Sequence, residues 1–583
     1  MPRLSTSAFR FAFLALCSVP LVALAQDPAN TQYTAKVLMR NLFNPTSITF
    51  LPDGRLYVTQ KNGVIRLIKP STGDTSTAAT LPTANVREDG LHSLVLDPDF
   101  AVNRRVYVLM SERSSGDTAL VVARYATDSA SGALLTGTRA TLLKIPYTLN
   151  SGTAEHNTGM IAFGPGGNLY IALADNTQNI FSGTGAGYAP RDTARPLYDA
   201  RRSAANTNDL RGKILRIHPE ENGTYSIPAG NLKDSINLPA FNPNWNGSED
   251  DLAKVRPEIF VMGLRHPFRM TIDPATGWLY WAEPGPNASA DNASQGPRGY
   301  EVISMAKGPG NYGWPFCRAN PTAIQKPGGV TTPYFCYTEY NYSGSGTAGA
   351  MFNPNALRNK SKNNTGIVNL PPMRPAMAWY PYNSTGTLFP QFGNGSSNTG
   401  MLGPVYHYDP SLSAARLPSV FDDHLFLVEW GRNLLFVAGL DSAGGMKDIR
   451  AFRDVGGARD SVVNGPIDIK VGPDGALYFL NWGNSTYPAN SNAIGSLSRL
   501  AYIGTHVPVM MVPARRGGLL GDRLFVAGPG VALALPPRAL GAELYSLRGE
   551  RLWSWHPAEG GERRTLLPAS VPRGVAQLRF LRR

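Results

Sequence analysis

The sequence predicts an all-β protein: a six-bladed β-propeller over residues 33–503, followed by a small β-sandwich. Turn-forming residues are abundant, with 60 Gly and 47 Pro in 583 residues. One strand–turn–strand phrase recurs along the chain, and helical periodicity between its copies is almost absent. Hairpins repeated over several hundred residues are typical of a propeller, and the spacing of the copies gives about six blades.

The recurrent phrase is an alternating apolar run, a turn built from Pro, Asp and Gly, and a second alternating run. Pro presets the first dihedral angle of the turn, Asp caps it and Gly adopts positive φ, so the phrase favours a hairpin. Copies lie at residues 46–58, 96–100, 164–167, 272–277 and 467–479. A single β-sandwich is too small for this length, and the aromatic girdles of a membrane barrel are missing.

Two long insertions interrupt the phrase, at residues 176–216 and 311–391. Insertions of this length inside a compact domain usually carry function or shape a cleft. We expect them to wall one face of the propeller.

The first 25 residues have the pattern of a signal peptide. Arg3 and Arg10 precede an apolar run, and Ala23-Leu24-Ala25 gives a small-residue cleavage site. No later run is long and apolar enough to span a bilayer. We therefore expect an exported protein, secreted, periplasmic or at the cell surface.

The C-terminal part differs from the propeller in its sequence pattern. Residues 504–522 contain Pro508, Pro513 and Gly517-Gly518 and are predicted to be a linker. Short strands follow in residues 523–583, and we expect a small β-sandwich there. It is either an accessory domain without chemistry or a sorting module.

Cys317 and Cys336 are an even pair in a chain expected to be exported, so a disulfide between them is predicted. They lack the CxxC spacing of a redox or metal site.

The formal charge of +13 does not indicate a nucleic-acid partner. From residue 501 onward there are 12 Arg, no Lys and five acidic residues, and the arginines are scattered through apparent strands. A solvated basic face explains this distribution better than a binding stripe.

Several common catalytic motifs are absent from the sequence, namely GxSxG, HExxH and CxxCH. What remains are polar residues at hairpin entrances, chiefly His156, Asp175, Arg265 and His266. Taken alone, each has a structural explanation, because a functional histidine needs a positioned partner.

The order of these motifs resembles the glucose/sorbosone dehydrogenase family, the soluble quinoprotein sugar dehydrogenases. The resemblance covers roughly residues 40–500. It rests on residues 90–100, 156–159, 174–176, 212–217, 263–268, 285–288, 296–301 and 310–315.

The resemblance implies a pyrroloquinoline quinone (PQQ) over the propeller mouth beside a bound calcium. It implies that His156 takes a proton from the anomeric hydroxyl of a sugar and that Arg265 stabilises negative charge on the quinone. The product would be a lactone, and the electron acceptor is not named by the sequence. The implied cofactor contacts are Arg265, His266, Gly285, Pro286 and Arg432. The implied calcium ligands are Gly285, Pro286, Glu301 and Tyr312. The implied sugar contacts are Glu155, Asp175 and Asn176.

The chain departs from the family pattern at three of these motifs. His266 stands where Asn is usual, Asn287 where Asp is usual, and Tyr300 where an acidic residue would precede Glu301. In the stretches expected to hold the cofactor carboxylates, Arg432 is the one cation. Two alternatives stay open: a non-catalytic propeller that binds carbohydrate or protein, and a calcium-dependent lactonase-type hydrolase.

Overall fold

The computed structural model describes the chain from residue 32 onward, with gaps. The described residues are 32–114, 116–180, 186–320, 324–325, 331–332, 335–342, 346–386, 389–393, 399–432, 434–452, 464–483, 494–504, 509–510, 523–527, 532–534, 541–546, 551–556, 564–566 and 574–581. The predicted signal peptide and most of the predicted linker lie outside them.

Six sheets form the blades of the propeller, as the sequence predicted, and they are antiparallel except where one short strand, Gly310–Asn311, pairs parallel with the outer strand of blade 3. Blade 1 contains β2 (Pro45–Phe50), β3 (Leu56–Gln60), β4 (Val64–Lys69) and β5 (Asp74–Thr80). Blade 2 contains β6 (Leu91–Leu96), β7 (Arg105–Ser114), β8 (Asp117–Thr127) and β9 (Leu134–Pro146). Blade 3 contains β10 (Gly159–Phe163), β11 (Leu169–Leu173), β12 (Lys213–Pro219) and β14 (Ile259–Met262), with β13 (Tyr225–Ser226) paired to β12.

The second half of the ring follows the same plan. Blade 4 contains β15 (Arg269–Ile272), β16 (Leu279–Glu283), β17 (Tyr300–Ala306) and β23 (Ala378–Pro381). Blade 5 contains β24 (Gly400–Tyr406), β25 (His424–Glu429), β26 (Leu434–Leu440) and β27 (Met446–Ala451). Blade 6 contains β28 (Pro466–Val471), β29 (Leu477–Asn481) and β30 (Ile494–Tyr502).

The N-terminal strand β1 (Tyr33–Phe43) closes the ring. It pairs antiparallel with β30 as the fourth strand of blade 6, so the last blade joins both ends of the propeller. The first strands of neighbouring blades contact one another in order, from β2 through β6, β10, β15 and β24 to β28, and back to β2. Apolar side chains of facing blades fill the space between them, for example Val58 with Leu477 and Leu109 with Ile171.

The recurrent phrase lies at the same place in five of the six blades, between the first and second strands. In blade 1 the Gly54 N–H donates to Leu51 O at 3.0 Å, and Gly54 has φ +83°. In blade 6 the Gly475 N–H donates to Gly472 O at 2.8 Å, and Gly475 has φ +77°. In blade 2 the turn contains the single described α-helix, Phe100–Asn103. The composition of the phrase therefore follows from the turn that it makes.

The two insertions pack against each other. The Arg191 guanidinium donates to Thr338 O at 2.8 Å, and the Asn359 amide donates to Arg201 O at 2.8 Å. The Cys317–Cys336 disulfide is formed, as predicted. Short strands here are β18 (Gly310–Asn311), β19 (Ile324–Gln325), β20 (Thr331–Thr332), β21 (Thr338–Tyr340) and β22 (Ala348–Met351). Short 3-10 helices lie at Pro165–Gly167, Pro196–Tyr198, Ala200–Arg202, Leu232–Asp234, Leu252–Lys254, Pro390–Phe392 and Ser419–Phe421.

The C-terminal strands form two further sheets. One contains β31 (Val509–Met510), β33 (Ala532–Ala534) and β36 (Arg564–Leu566). The other contains β32 (Arg523–Ala527), β37 (Gly574–Leu581), β34 (Gly541–Ser546) and β35 (Arg551–Trp555). Among the described residues, no helix is long and apolar enough to cross a bilayer.

Candidate active site

The candidate site lies where three loops meet at one face of blades 3 and 4. One loop precedes β10, one follows β11 and one precedes β15. The register pairs Gly159 with Leu173, which places the first two loops at the same end of blade 3. The Asp175 N–H donates to Arg265 O and the Asn176 N–H to His156 O, both at 2.9 Å. Backbone hydrogen bonds therefore join all three loops.

His156 is held in one orientation by a buried carboxylate. Its Nδ1 lies 2.8 Å from Asp175 Oδ1, and the His156 side chain is 4% exposed. The other carboxylate oxygen, Oδ2, accepts a hydrogen bond from Trp314 Nε1 at 2.8 Å. Because Asp175 accepts at Nδ1, the proton of the neutral imidazole lies there, and Nε2 keeps its lone pair. This arrangement suits a general base that acts through Nε2.

Asn179 connects the histidine to the arginine. Its Nδ2 lies 3.3 Å from His156 Nε2, and its Oδ1 accepts a hydrogen bond from Arg265 Nη2 at 2.7 Å. Burial lowers the pKa of Arg265, although Asp175 and Glu301 oppose that shift. The Arg265 Nε atom is buried and has no hydrogen-bond partner among the described residues. The structure thus brings the predicted base and the predicted cation into one cluster.

His266 lies beside the base. Its ring centroid is 5.0 Å from that of His156, and its Nε2 is 2.5 Å from Thr158 Oγ1. The N–H groups of Arg265 and His266 both donate to Glu283 Oε2, at 2.7 and 3.0 Å. Burial lowers the pKa of His266 well below its ordinary value, with the neighbouring His156 adding to the shift. His266 is therefore a neutral, fixed neighbour of His156.

Glu155 and Asn176 hold the loops around the site. Glu155 pairs with Arg87 at 3.0 Å and accepts a hydrogen bond from the Asn179 N–H at 3.2 Å. The Asn176 side chain accepts from the Thr148 N–H at 2.8 Å and donates to Glu155 O at 3.3 Å. Both side chains are buried. Like Asp175, they are engaged within the protein, and their predicted contacts with a sugar stay predictions.

The far side of the site is acidic. Glu301 Oε1 accepts a hydrogen bond from the Gly285 N–H at 3.0 Å, whereas Glu301 Oε2 is buried without a hydrogen-bond partner among the described residues. Burial, together with the nearby Glu429, raises the pKa of Glu301 to about 8. Glu429 accepts from the Tyr380 hydroxyl and from the Thr399 N–H, and burial raises its pKa too. A cation with oxygen ligands would relieve this pair of carboxylates.

The Gly285-Pro286 backbone lies against the loop before β17. A Cβ atom added at Gly299 would come within 1.7 Å of Pro286 O, so only glycine allows this close approach. The Pro286 carbonyl is thereby held beside Gly285, the residue that contacts Glu301. The fold thus brings together Gly285 and Glu301, two of the predicted calcium ligands.

Tyr312 and Arg432 have other contacts. The Tyr312 hydroxyl donates to Met305 O at 2.5 Å, and its ring packs on Trp281 with centroids 4.5 Å apart. Arg432 donates to Phe392 O and, at 2.7 Å, to Gly393 O. The Tyr312 side chain is thus engaged in the core, and Arg432 holds the 3-10 helix Pro390–Phe392. Their predicted roles toward calcium and the cofactor stay predictions.

Four residues of the site were not identified from the sequence: Asn179, Trp314, Glu283 and Glu429. Trp314 lies inside a motif that was recognised, and a buried indole N–H requires an acceptor. Glu283 ends β16, two residues before Gly285. Nothing in the sequence around Asn179 distinguishes it from its neighbours.

Comparison with known proteins places this geometry in a family context. The family model described as Glucose / Sorbosone dehydrogenase matches residues 42–352. The aldose sugar dehydrogenase YliI of Escherichia coli is 27% identical over 301 residues, which are 51% of this chain and 66% of that protein. The quinoprotein glucose dehydrogenase B of Acinetobacter calcoaceticus is 25% identical over 315 residues, 52% of this chain and 56% of that protein. The matches thus span less than two thirds of these relatives.

A solved structure supports the fold. The soluble aldose sugar dehydrogenase of Escherichia coli in its apo form has a TM-score of 0.50 and 19% sequence identity. The match covers 81% of this chain and 99% of that chain.

Proposed function

The chain belongs to the glucose/sorbosone dehydrogenase family, and on that basis we propose that it is an exported quinoprotein that oxidises an aldose at the anomeric carbon to a lactone. The observation that carries the proposal is the buried His156–Asp175–Trp314 chain, which leaves His156 Nε2 as an acceptor at 3.3 Å from Asn179. The leader pattern of residues 1–25 supports export. We retain the C-terminal strands as a separate β-sandwich domain in this proposal.

In the proposed reaction, His156 accepts the proton of the anomeric hydroxyl at Nε2. Asp175 stabilises the imidazolium that results, because its carboxylate lies 2.8 Å from Nδ1 and is itself fixed by Trp314. Low exposure of both side chains strengthens this interaction relative to water. Asn179 orients the sugar-side nitrogen of His156 relative to Arg265.

The residues of the candidate site fit PQQ and calcium in two respects. Arg265 offers a buried cation whose Nε has no hydrogen-bond partner in the described part of the chain, and such a donor suits the negatively charged oxygens of a quinone. Glu301, which accepts from the Gly285 N–H, offers a carboxylate oxygen that has no hydrogen-bond partner within the described ranges, and calcium prefers such oxygen ligands. Arg265, His266, Gly285, Pro286 and Arg432 would hold the cofactor, and Gly285, Pro286 and Glu301 the calcium. When bound, PQQ supplies a two-electron acceptor for the hydrogen on the sugar carbon.

The names of the relatives agree with this chemistry, since one is an aldose sugar dehydrogenase and another a quinoprotein glucose dehydrogenase. Because the matches cover only part of those proteins, their activities come to this chain as a proposal.

The test is reconstitution of the purified protein with PQQ and Ca²⁺, followed by dye reduction across a panel of aldoses. We expect reduction with at least one aldose and none with its 1,5-anhydro analogue, which lacks the anomeric hydroxyl. We also expect quinone absorbance to survive desalting. Absence of dye reduction with every aldose, together with loss of the absorbance, would refute the proposal.

A further inference from the structure

A second polar cluster lies on the opposite face of the propeller, at the junction of blades 4 and 5. Asp273 follows β15, whose other end adjoins Arg265 and the candidate site. His407 follows β24, and Asp422 and Asp423 precede β25. These four residues take no part in the proposed sugar oxidation.

Three of these residues present ligand atoms to one another. One atom each from His407, Asp422 and Asp423 lies within 4.8 Å of the other two. Ligand atoms around a tetrahedral zinc ion are about 3.4 Å apart, so a small inward movement would complete a site. The Asp423 side chain is free to make this movement, because it is 61% exposed.

The fourth residue orients the histidine. His407 Nε2 lies 2.5 Å from Asp273 Oδ1, and the Asp273 side chain is 4% exposed. Asp273 is itself fixed, since its carboxylate accepts from the Ala275 N–H at 3.0 Å and from Thr276 Oγ1 at 2.5 Å. A carboxylate that accepts from one imidazole nitrogen is the usual support of a metal-ligating histidine. The other nitrogen, Nδ1, faces Asp423 Oδ1 at 3.1 Å.

Asp422 gives an independent reason to expect a further ligand in this cluster. Its Oδ1 accepts from the Tyr408 N–H at 2.7 Å, but its Oδ2 is buried and has no hydrogen-bond partner among the described residues. A buried carboxylate oxygen normally has a partner, and a bound cation would be one.

We propose that His407 Nδ1, Asp422 Oδ2 and Asp423 Oδ1 form a binding site for a divalent transition metal, of which zinc is the best fit. One imidazole and two carboxylates favour zinc over calcium, which prefers oxygen ligands alone. Three carboxylates face one imidazole, so a dication also offsets the negative charge of the cluster. The ion would join the end of β24 to the loop before β25 and, through Asp273, to blade 4.

The test uses the full-length protein stripped with EDTA, titrated with Zn²⁺ by calorimetry and followed by thermal unfolding. We expect one strong Zn²⁺ site and a rise in Tm that grows with Zn²⁺ concentration. D422N and H407Q should each weaken Zn²⁺ binding at least 100-fold. E301Q should bind Zn²⁺ as the wild type does, because Glu301 lies on the other face.

The matched control is D409N, in the same loop. Asp409 caps a turn through Ser411, which asparagine can also do. Near-UV circular dichroism would establish that each variant is folded. Absence of Zn²⁺ binding by the stripped wild type would show an ion-pair cluster only and overturn the proposal. Unchanged Zn²⁺ binding by folded D422N and H407Q would overturn it as well.

Discussion

The two sides of the candidate active site differ in how their polar groups are satisfied. On the base side, His156, Asp175, Trp314, Asn179 and Arg265 form one chain of hydrogen bonds of 2.7–3.3 Å. On the far side, Glu301 and Glu429 are buried together with raised pKa values, and Glu301 keeps an oxygen without a hydrogen-bond partner among the described residues. The base side is organised by hydrogen bonds within the protein, whereas the far side keeps a buried carboxylate oxygen that the proposed calcium would bind.

The largest effect is expected from D175N, which breaks the base side. The asparagine amide can donate to His156 Nδ1, which moves the imidazole proton to Nε2 and removes the acceptor. We expect turnover of the reconstituted enzyme to fall by roughly 10³–10⁴-fold, the scale seen when a catalytic histidine is held in the wrong tautomer. Steady-state dye reduction measures it.

The control for D175N is D128N, which changes a surface aspartate in the β8–β9 turn. D128N should keep wild-type turnover, and both variants should retain PQQ. Turnover of D175N within threefold of the wild type would remove Asp175 from its role.

The variant E301Q tests the far side of the site through the free energy of unfolding and the dependence of that free energy on pH. Burial and Glu429 raise the pKa of Glu301 to about 8, whereas the ordinary value is 4.5. Between these values the folded protein binds more protons than the unfolded chain, so without Ca²⁺ the free energy of unfolding should fall as pH rises from about 4.5 to 8. E301Q should flatten this slope, and Ca²⁺ should flatten it in the wild type but not further in E301Q.

Urea unfolding at pH 5 and pH 8, with and without Ca²⁺, measures these slopes. A wild-type slope that Ca²⁺ and the substitution both leave unchanged would mean that the far side has no cation site at Glu301.

The variant W314F is expected to have the smallest effect. It tests how much the hydrogen bond from Trp314 to Asp175 contributes on the base side. The variant keeps an aromatic ring but removes the indole N–H that donates to Asp175 Oδ2 at 2.8 Å. A hydrogen bond to a charged group contributes about 1.5–3 kcal/mol, so we expect turnover to fall by roughly 10- to 100-fold. Retention of PQQ should be unchanged. A fall as large as that of D175N would indicate that the insertion, rather than the single hydrogen bond, had been disturbed.

Sequence reasoning predicted the parts of this molecule that local chemistry determines. The Pro-Asp-Gly phrase specifies a hairpin at each copy, and repetition of hairpins specifies the propeller. His156, Asp175 and Arg265 stand at hairpin entrances, but the resemblance to the family, and not this position alone, predicted their roles. These entrances meet at one face of blades 3 and 4.

What could not be predicted depends on contacts between distant residues. Trp314, in the second insertion, reaches Asp175, the residue before the first insertion, across 139 positions. The state of Glu301 depends on Glu429, in the next blade, which no local pattern relates to it. Arg432 remains a predicted cofactor contact, and no local pattern could show that its Nη1 also donates to two backbone carbonyls, Phe392 O and Gly393 O.

The most direct test of the catalytic proposal compares turnover and cofactor retention in H156Q and in H556Q, whose substitution lies at an exposed histidine after β35. H156Q should retain PQQ as the wild type does, while its turnover with the best aldose falls by at least 10²-fold, the scale of general-base catalysis. H556Q should match the wild type in both measurements. Wild-type turnover in H156Q that still binds PQQ would contradict the proposal that His156 is the base.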